Sequence, residues 1–218
     1  MNKRLKNGLG VLGLIVFVFA LMFFRMCRPV ARGTELQPQF DSTLEHATFA
    51  MGCFWHSEEI FLEIKGVKNA MPGYCGGTEP NPTYELVGSG STRYAESVDV
   101  AFDPKAISYA KLLEVFFREH DPTTLDRQGP DDGPQYRSAI FYHTAQQKRE
   151  ADVYIAKLQV EHKYTSPIVT EVAPFDQFYR AEDYHIRYFR NHPGEPYIES
   201  VTRREVEQFR RDFPELRK

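Results

Sequence analysis

Residues 47–66, ATFAMGCFWHSEEIFLEIKG, decide how the folded part of the chain begins. The apolar run at 47–51 is typical of a buried strand, and Gly52 permits a sharp turn after it. Beyond Cys53, apolar side chains recur at helical spacing until a second glycine ends the pattern. The stretch therefore predicts a strand, a tight turn and a helix, with the cysteine in the first helical turn.

Outward from this stretch, strands and helices alternate along the chain. Residues 94–102 alternate apolar and polar side chains, as a half-buried strand does, whereas 109–120 carry an apolar stripe at helical spacing. No internal repeat is visible. We therefore expect α+β layers rather than a doubly wound parallel sheet. The other predicted elements are strands at 67–74, 138–142 and 168–172, helices at 144–164, 181–189 and 202–213, and long loops at 78–91 and 121–136.

Composition excludes several classes of protein. The chain has 218 residues, 42% of them hydrophobic, which suits one or at most two globular domains. A formal net charge of −3 gives no positive field for nonspecific capture of nucleic acid. Three cysteines without a Cys-x-x-Cys pair indicate neither a disulfide framework nor a structural zinc. Any cysteine that matters should therefore act as a thiol.

Residues 8–24 carry no charge and are flanked by three basic side chains on each side. At about 1.5 Å per residue they span roughly 25 Å, enough for a short membrane anchor. A signal peptide is the alternative, although no small-x-small cleavage site follows. We expect a membrane-anchored or exported protein with its folded part outside the cytoplasm, although the balanced flanking charges leave the orientation open. The predicted regions are an anchor or signal segment at 1–28, a linker at 29–45, the domain at 46–200 and a charged C-terminal helix or tail at 201–218.

The strongest chemical signal is Gly-Cys-Phe-Trp at 52–55. A cysteine in the first turn of a helix lies near unpaired N–H groups, which favour the thiolate and lower the pKa of the thiol. Phe54 and Trp55, the only tryptophan, can hold a soft apolar group beside the sulfur. The pattern thus indicates a nucleophile; the alternative is a buried, inert cysteine.

A second signal is a carboxylate on the alternating strand. Glu96 shares its parity with Val98 and Val100 and should point toward the core. Burial favours the neutral carboxyl, which predicts a proton donor near neutral pH. The alternative is an ion pair with Arg93 or Arg137. Polar groups that can hold a reacting oxygen are also expected in the two long loops, at Tyr84, Asp131 and Tyr136.

Several short motifs, in order along the chain, resemble those of the A-type peptide methionine sulfoxide reductases. The resemblance runs from about residue 46 to residue 198. No single tetrapeptide suffices, but the ordered series leaves little room for coincidence. The motifs are GCFW at 52–55, GYCGG at 73–77, NPTY at 81–84, AE at 95–96, HDPT at 120–123, RQG at 127–129, QYRSAI at 135–140 and AEDYH at 181–185.

The resemblance implies a fold and a reaction. The implied fold is a two-layer, ferredoxin-like plait of a mixed sheet with helices packed on it, here preceded by an N-terminal hydrophobic helix. Cys53 would attack the sulfur of methionine-S-sulfoxide and become a sulfenic acid as methionine leaves. Phe54 and Trp55 would enclose the substrate methyl group. Glu96 would protonate the departing oxygen, Tyr84 and Tyr136 would hold it, and Asp131 would organise water or hydrogen bonds.

The sulfenic acid must then be reduced. Many relatives carry recycling cysteines near the carboxyl end, whereas residues 181–218 contain none. Cys75, in a Gly-rich segment, is the candidate resolving thiol, forming a disulfide with Cys53 that thioredoxin or another dithiol opens. The alternative is direct reduction by an external thiol. We expect a monomer with no bound cofactor and no metal, whose partners are oxidised proteins or peptides carrying methionine sulfoxide and this reductant.

Two other function classes remain possible at this point. A cysteine hydrolase could be built from Cys53, His120 and Asp121, and would form an acyl-enzyme without needing a reductant. A membrane-tethered binding module would keep its phenotype after Cys53→Ser.

Overall fold

A mixed sheet organises residues 43–218, the part of the chain that this computed structural model describes. The strands are β1 (Glu45–Met51), β2 (Val67–Cys75), β3 (Ala95–Phe102), β4 (Arg127–Gln128), β5 (Asp131–Asp132), β6 (Ser138–Tyr142), β7 (Glu171–Pro174) and β8 (Phe178–Arg180). The helices are α1 (Phe54–Glu63), α2 (Tyr84–Gly88), α3 (Tyr109–Arg118), α4 (Ala145–Val160), α5 (Tyr188–Asn191) and α6 (Arg203–Asp212), the last entered directly from a π-helical turn at Ile198–Thr202.

The strand order of the main sheet is β7-β6-β1-β3-β2-β8. Its four central strands are antiparallel, and with α1 and α3 as crossovers they form the βαββαβ order of a ferredoxin-like plait. β7 adds a parallel strand at one edge, and β8 adds an antiparallel strand at the other. The α+β prediction is confirmed. The predicted N-terminal hydrophobic helix lies outside the described residues.

The helices bury one face of the sheet. Phe49 of β1, paired with Val98 of β3, is fully buried and stacks on Phe61 of α1 and Phe116 of α3 at ring distances of 5.3 and 5.2 Å. Apolar side chains of alternate parity on the central strands join the same cluster. Burial of this face holds α1, and with it the segment that begins at Cys53, against the sheet.

The opposite face of the sheet carries a smaller apolar cluster. It contains Cys75 and Ala95, which are directly paired between β2 and β3. The next pair along, Tyr74 and Glu96, must point to the helix-covered face because neighbouring strand residues alternate sides. Cys75 and Glu96 therefore lie on opposite faces of the sheet.

Several predicted elements differ in detail from the structure. The loop predicted at 78–91 contains α2, whose first turn is capped by the side chain of Thr83. The strand predicted at 168–172 runs from Glu171 to Pro174. The helix predicted at 181–189 is instead a 3₁₀ turn at Asp183–His185 followed by α5. These elements are short, so local turn chemistry and tertiary contacts outweigh periodicity.

The charged C-terminal helix packs into the same core as the sheet. Val206 and Phe209 of α6 are fully buried, and Arg210 makes an ion pair with Glu63 of α1 at 2.5 Å. Charge alone set residues 201–218 apart in the sequence, yet the helix is amphipathic and covers α1. Within residues 43–218, no helix has the length and apolarity needed to cross a membrane. The predicted anchor at 8–24 lies outside the described residues.

Candidate active site

A strained turn presents Cys53 at the end of β1. Gly52 has φ of +93°, and a Cβ atom there would lie 2.6 Å from Cγ of Gln128. Glycine is therefore required both by the backbone conformation and by the close approach of Gln128. Cys53 is the N-cap residue of α1, as predicted, and is only 7% exposed.

Glu96 lies beside this turn. Its Oε2 accepts a hydrogen bond from the Phe54 N–H at 3.0 Å, and the residue is 2% exposed. Burial raises the pKa of Glu96 to about 8, with the Phe54 N–H acting in the opposite direction. Arg93 and Arg137 both pair with Glu171, at 3.7 and 2.9 Å, rather than with Glu96. This favours the neutral proton donor over the ion pair.

The expected low pKa of the Cys53 thiol is wrong. Burial raises the pKa of Cys53 well above the ordinary value, and the negative charge of Glu96 raises it further. The Trp55 backbone N–H lowers it, as expected at a helix N-terminus, but this effect is smaller than the loss of hydration. Cys53 therefore rests as a thiol beside a protonated carboxyl.

Two predicted tyrosines lie close to the pair. Burial, followed by the charges of Glu96 and Cys53, raises the pKa of both Tyr84 and Tyr136. Their hydroxyl groups therefore remain protonated and can donate hydrogen bonds. Glu182 fixes the backbone at Tyr84 by accepting its N–H at 2.8 Å.

Asp131 reaches the site from the β4–β5 hairpin. Its carboxylate accepts a hydrogen bond from the hydroxyl of Tyr197. Burial raises the pKa of Asp131, and the Tyr197 bond lowers it. The charge of Asp131 also raises the pKa of Cys53, after burial and Glu96. Asp131 thus belongs to the polar surroundings of the thiol.

Aromatic rings form a cup next to Cys53. Trp55 stacks on Tyr188 with ring centroids 3.9 Å apart and 9° between the planes, and Tyr197 meets Trp55 edge-on at 5.7 Å. The Trp55 Nε1–H donates to Nδ1 of His185 at 3.1 Å. Phe54 is fully buried with its ring 5.0 Å from that of His185, whereas Trp55 is partly exposed. We call Trp55, Tyr188 and Tyr197 together the cup. Their rings present an apolar wall.

The hydrolase arrangement is absent. His120 is half-buried, with Nδ1 at 2.5 Å from the Phe116 carbonyl and Nε2 at 2.7 Å from the Ser138 hydroxyl. Burial lowers the pKa of His120 to about 4. With both nitrogens bound elsewhere, His120 does not serve as a base for Cys53.

Comparison with known proteins identifies the family. The model of the family described as "Peptide methionine sulfoxide reductase" matches residues 45–217. The chain belongs to the peptide methionine sulfoxide reductase family. It is 49% identical over 172 residues to the peptide methionine sulfoxide reductase MsrA of Thermus thermophilus, covering 79% of this chain and 97% of the relative. The enzyme of Sulfolobus acidocaldarius is 48% identical, with the same coverage.

Solved structures agree with this family. Reduced Mxr1 from Saccharomyces cerevisiae superposes with a TM-score of 0.67 at 34% identity, covering 71% of this chain and 89% of that one. Methionine sulfoxide reductase A of Corynebacterium diphtheriae gives 0.64 at 34% identity, covering 71% and 77%. This reductase is thus an oxidoreductase that reduces methionine sulfoxide in proteins to methionine.

Among residues 43–218, no cluster of three or more His, Cys, Asp or Glu side chains is arranged to hold a metal ion.

Sequence reasoning missed several groups of the reductase site. Tyr197 and His185 reach Trp55 only through the fold, although His185 stands in a quoted motif. A contact between α1 and α6 was also missed: Nδ1 of His56, which is 1% exposed, lies 3.5 Å from Oε2 of the half-buried Glu205. Chain separation hid these contacts, since periodicity reports only which face of an element is apolar.

Replacing Glu205 by Gln tests the electrostatics of the site. Glu205 adds to the effects of burial, Glu96 and Asp131 that raise the pKa of Cys53. Its neutral variant should therefore alkylate faster at Cys53 with iodoacetamide at pH 8, by roughly threefold, since the thiolate is the reacting form. Mass spectrometry of the Cys53 peptide measures the rate. Glu207→Gln, the same change at an exposed position of α6, should leave it unchanged; equal rates in all three proteins contradict the assignment.

Proposed function

We propose that this reductase acts on methionine-S-sulfoxide through Cys53 and Glu96. The observation that carries the proposal is the buried bond from the Phe54 N–H to Glu96, which sets a neutral carboxyl beside the thiol. A sulfoxide oxygen is a poor leaving group until it is protonated. A nucleophile and an acid within one small site therefore meet the chemical demand.

In the reductive step, Glu96 donates its proton to the sulfoxide oxygen as Sγ of Cys53 bonds to the substrate sulfur. The thiol proton of Cys53 returns to the Glu96 carboxylate. The oxygen then leaves the substrate sulfur for Sγ while the bond between Sγ and the substrate sulfur breaks, so that methionine sulfoxide is reduced by two electrons to methionine and Cys53 is oxidised to a sulfenic acid. The overall reaction is balanced: a sulfoxide and a thiol give a thioether and a sulfenic acid. Because thiol and carboxyl both begin protonated, the raised pKa values of the pair suit this exchange.

The other groups bind and orient the substrate. Tyr84 and Tyr136, as protonated phenols, donate to the sulfoxide oxygen, and Asp131 with Tyr197 organises hydrogen bonds beside it. Phe54 and Trp55 enclose the substrate methyl group, with the partly exposed Trp55 nearer to solvent. Selectivity for the S epimer follows if the oxygen points to Glu96 while the methyl group enters the cup.

An external dithiol of the thioredoxin type is the proposed reductant. It condenses with the Cys53 sulfenic acid, releases water and leaves as its own disulfide. Cys75 is poorly suited to resolve this acid, because it faces away from Glu96, is 1% exposed, and has a pKa raised by burial to about 12. Of the two routes open from sequence, these observations support direct external reduction.

Replacing Glu96 by Gln should lower kcat/KM by roughly 10²–10⁴-fold, since it removes the proton donor. In the parent enzyme, kcat/KM should be level below pH 8 and fall above it, because the neutral form of Glu96, whose pKa is about 8, is lost as pH rises. Steady-state assays with dithiothreitol from pH 6 to 10 measure both. A variant that keeps parent activity, or that keeps the decline above pH 8, contradicts the role of Glu96 as acid.

Single-turnover trapping tests the resolving route. One equivalent of peptide methionine sulfoxide without reductant should leave Cys53 as a sulfenic acid that dimedone labels, in both the parent and the Cys75→Ser variant. Intact-mass and peptide mapping measure the adduct. Cys53→Ser, the matched control, should release no methionine. A disulfide between Cys53 and Cys75 in the parent, together with slower thioredoxin-dependent turnover of Cys75→Ser, would restore Cys75 to the mechanism.

We also propose that residues 8–24 anchor this monomeric reductase in a membrane, with the domain outside the cytoplasm. The uncharged run and its basic flanks support this location. The full chain should pellet with membranes after carbonate extraction. Protease added to cells whose outer envelope is permeabilised, with the cytoplasmic membrane intact, should degrade the domain. Release by carbonate contradicts the anchor, and protection that ends only on membrane lysis contradicts the orientation.

A further inference from the structure

A strained residue lies, along the chain, between two of the rings that contact Trp55. Arg187 has φ of +58°, in the left-handed region, where a side chain with a Cβ atom is disfavoured. His185, which accepts the Trp55 N–H, precedes it by two residues, and Tyr188, which stacks on Trp55, follows it directly. Such a conformation persists where the surroundings impose it, and strained residues cluster at functional sites.

Glu58 of α1 supplies this restraint. Its two carboxylate oxygens accept the backbone N–H of Arg187 at 2.9 and 3.1 Å. The Arg187 side chain is farther away, with Nε at 4.0 Å from Oε1. Glu58 is 2% exposed, and a carboxylate so buried requires a partner. The carboxylate therefore holds the backbone of residue 187 more closely than its guanidinium group.

One face of α1 carries two residues that contact the segment 185–188. Trp55 and Glu58 are three residues apart on α1, so their side chains are neighbours on one face. The carbonyl of Arg187 accepts the N–H groups of Arg190 and Asn191 at 3.0 Å, which starts α5 at Tyr188. Fixing residue 187 therefore fixes the direction in which Tyr188 leaves the turn, directly above the Trp55 ring.

We propose that Glu58 is a positioning residue for the sulfoxide substrate. By holding the Arg187 N–H, it keeps the left-handed turn that lays Tyr188 on Trp55 and so sets the wall of the cup. The effect on substrate rests on the proposed function of that cup. The effect on the Trp55–Tyr188 stack does not, so the two can fail separately.

The only tryptophan of the chain reports the stack directly. In Glu58→Ala, Trp55 emission should move to longer wavelength and acrylamide should quench it more strongly, because the indole loses the cover of Tyr188. KM for a methionine sulfoxide peptide should rise roughly tenfold with kcat within about twofold, as expected when uniform binding is lost. Glu58→Gln keeps an acceptor oxygen for the Arg187 N–H, and should fall between parent and Glu58→Ala in both readouts.

Two further variants separate positioning from general destabilisation. Glu63→Gln breaks a different ion pair of the same helix, with Arg210, and should leave the emission spectrum and KM at parent values. In the double variant Glu58→Ala with Arg187→Gly, the emission spectrum and KM should both return toward parent values, because glycine adopts the left-handed conformation without restraint. Circular dichroism confirms that each variant is folded.

Three results would contradict the claim that Glu58 positions the Trp55–Tyr188 stack. Parent-like fluorescence in Glu58→Ala shows that Glu58 does not hold the stack. An equal spectral change in Glu63→Gln shows a nonspecific effect, and failure of the glycine rescue shows that strain at residue 187 is not what Glu58 opposes. A changed stack with unchanged KM instead contradicts the role of the cup in substrate binding, while an inactive Cys53→Ser enzyme still supports the chemistry.

Discussion

One buried hydrogen bond lies at the centre of the candidate site: the Phe54 N–H donates to the carboxyl of Glu96 at 3.0 Å. It joins the first turn of α1 to the start of β3. This single backbone donor offsets only part of the cost of burying a charged Glu96. The carboxyl consequently keeps its proton up to about pH 8, and the neighbouring Cys53 keeps its own. In the proposed mechanism, these two protonated groups supply the nucleophile and the proton for cleavage of the same S–O bond.

The rest of the domain holds Cys53 and Glu96 next to each other. Antiparallel pairing of β1 and β3 brings the end of one strand beside Glu96 on the other, and the left-handed Gly52 lets the chain turn there under Gln128. Long-range contacts then close the surroundings, with Tyr197 bound to Asp131 and Glu58 bound to the Arg187 backbone. Each of these contacts joins α1 or the β4–β5 hairpin to the last forty residues, so the C-terminal segment is part of the site as well as of the core.

What could be predicted from sequence was local in origin. Apolar spacing found β1, α1 and α3, alternation along β3 placed Glu96 toward the core, and Thr144 caps α4 as expected. The prediction of a low pKa for the Cys53 thiol was wrong because a helix end is visible in sequence whereas the burial of Cys53 is not, and burial has the larger effect on its pKa. The face on which Cys75 lies depends on its register with Ala95. His185, Tyr197 and Glu58 make contacts across more than sixty residues of chain, so periodicity gave no signal for them.

The protonation state of Glu96 is the most direct test of this account. Infrared difference spectra of the parent against Glu96→Gln, recorded from pH 5 to 10, isolate the carbonyl stretch of this one protonated carboxyl from those of other buried acids. The account predicts that the band is present at pH 7 and disappears with a midpoint near 8. A band already lost at pH 6, with a midpoint near the ordinary glutamate value of about 4.3, would contradict it.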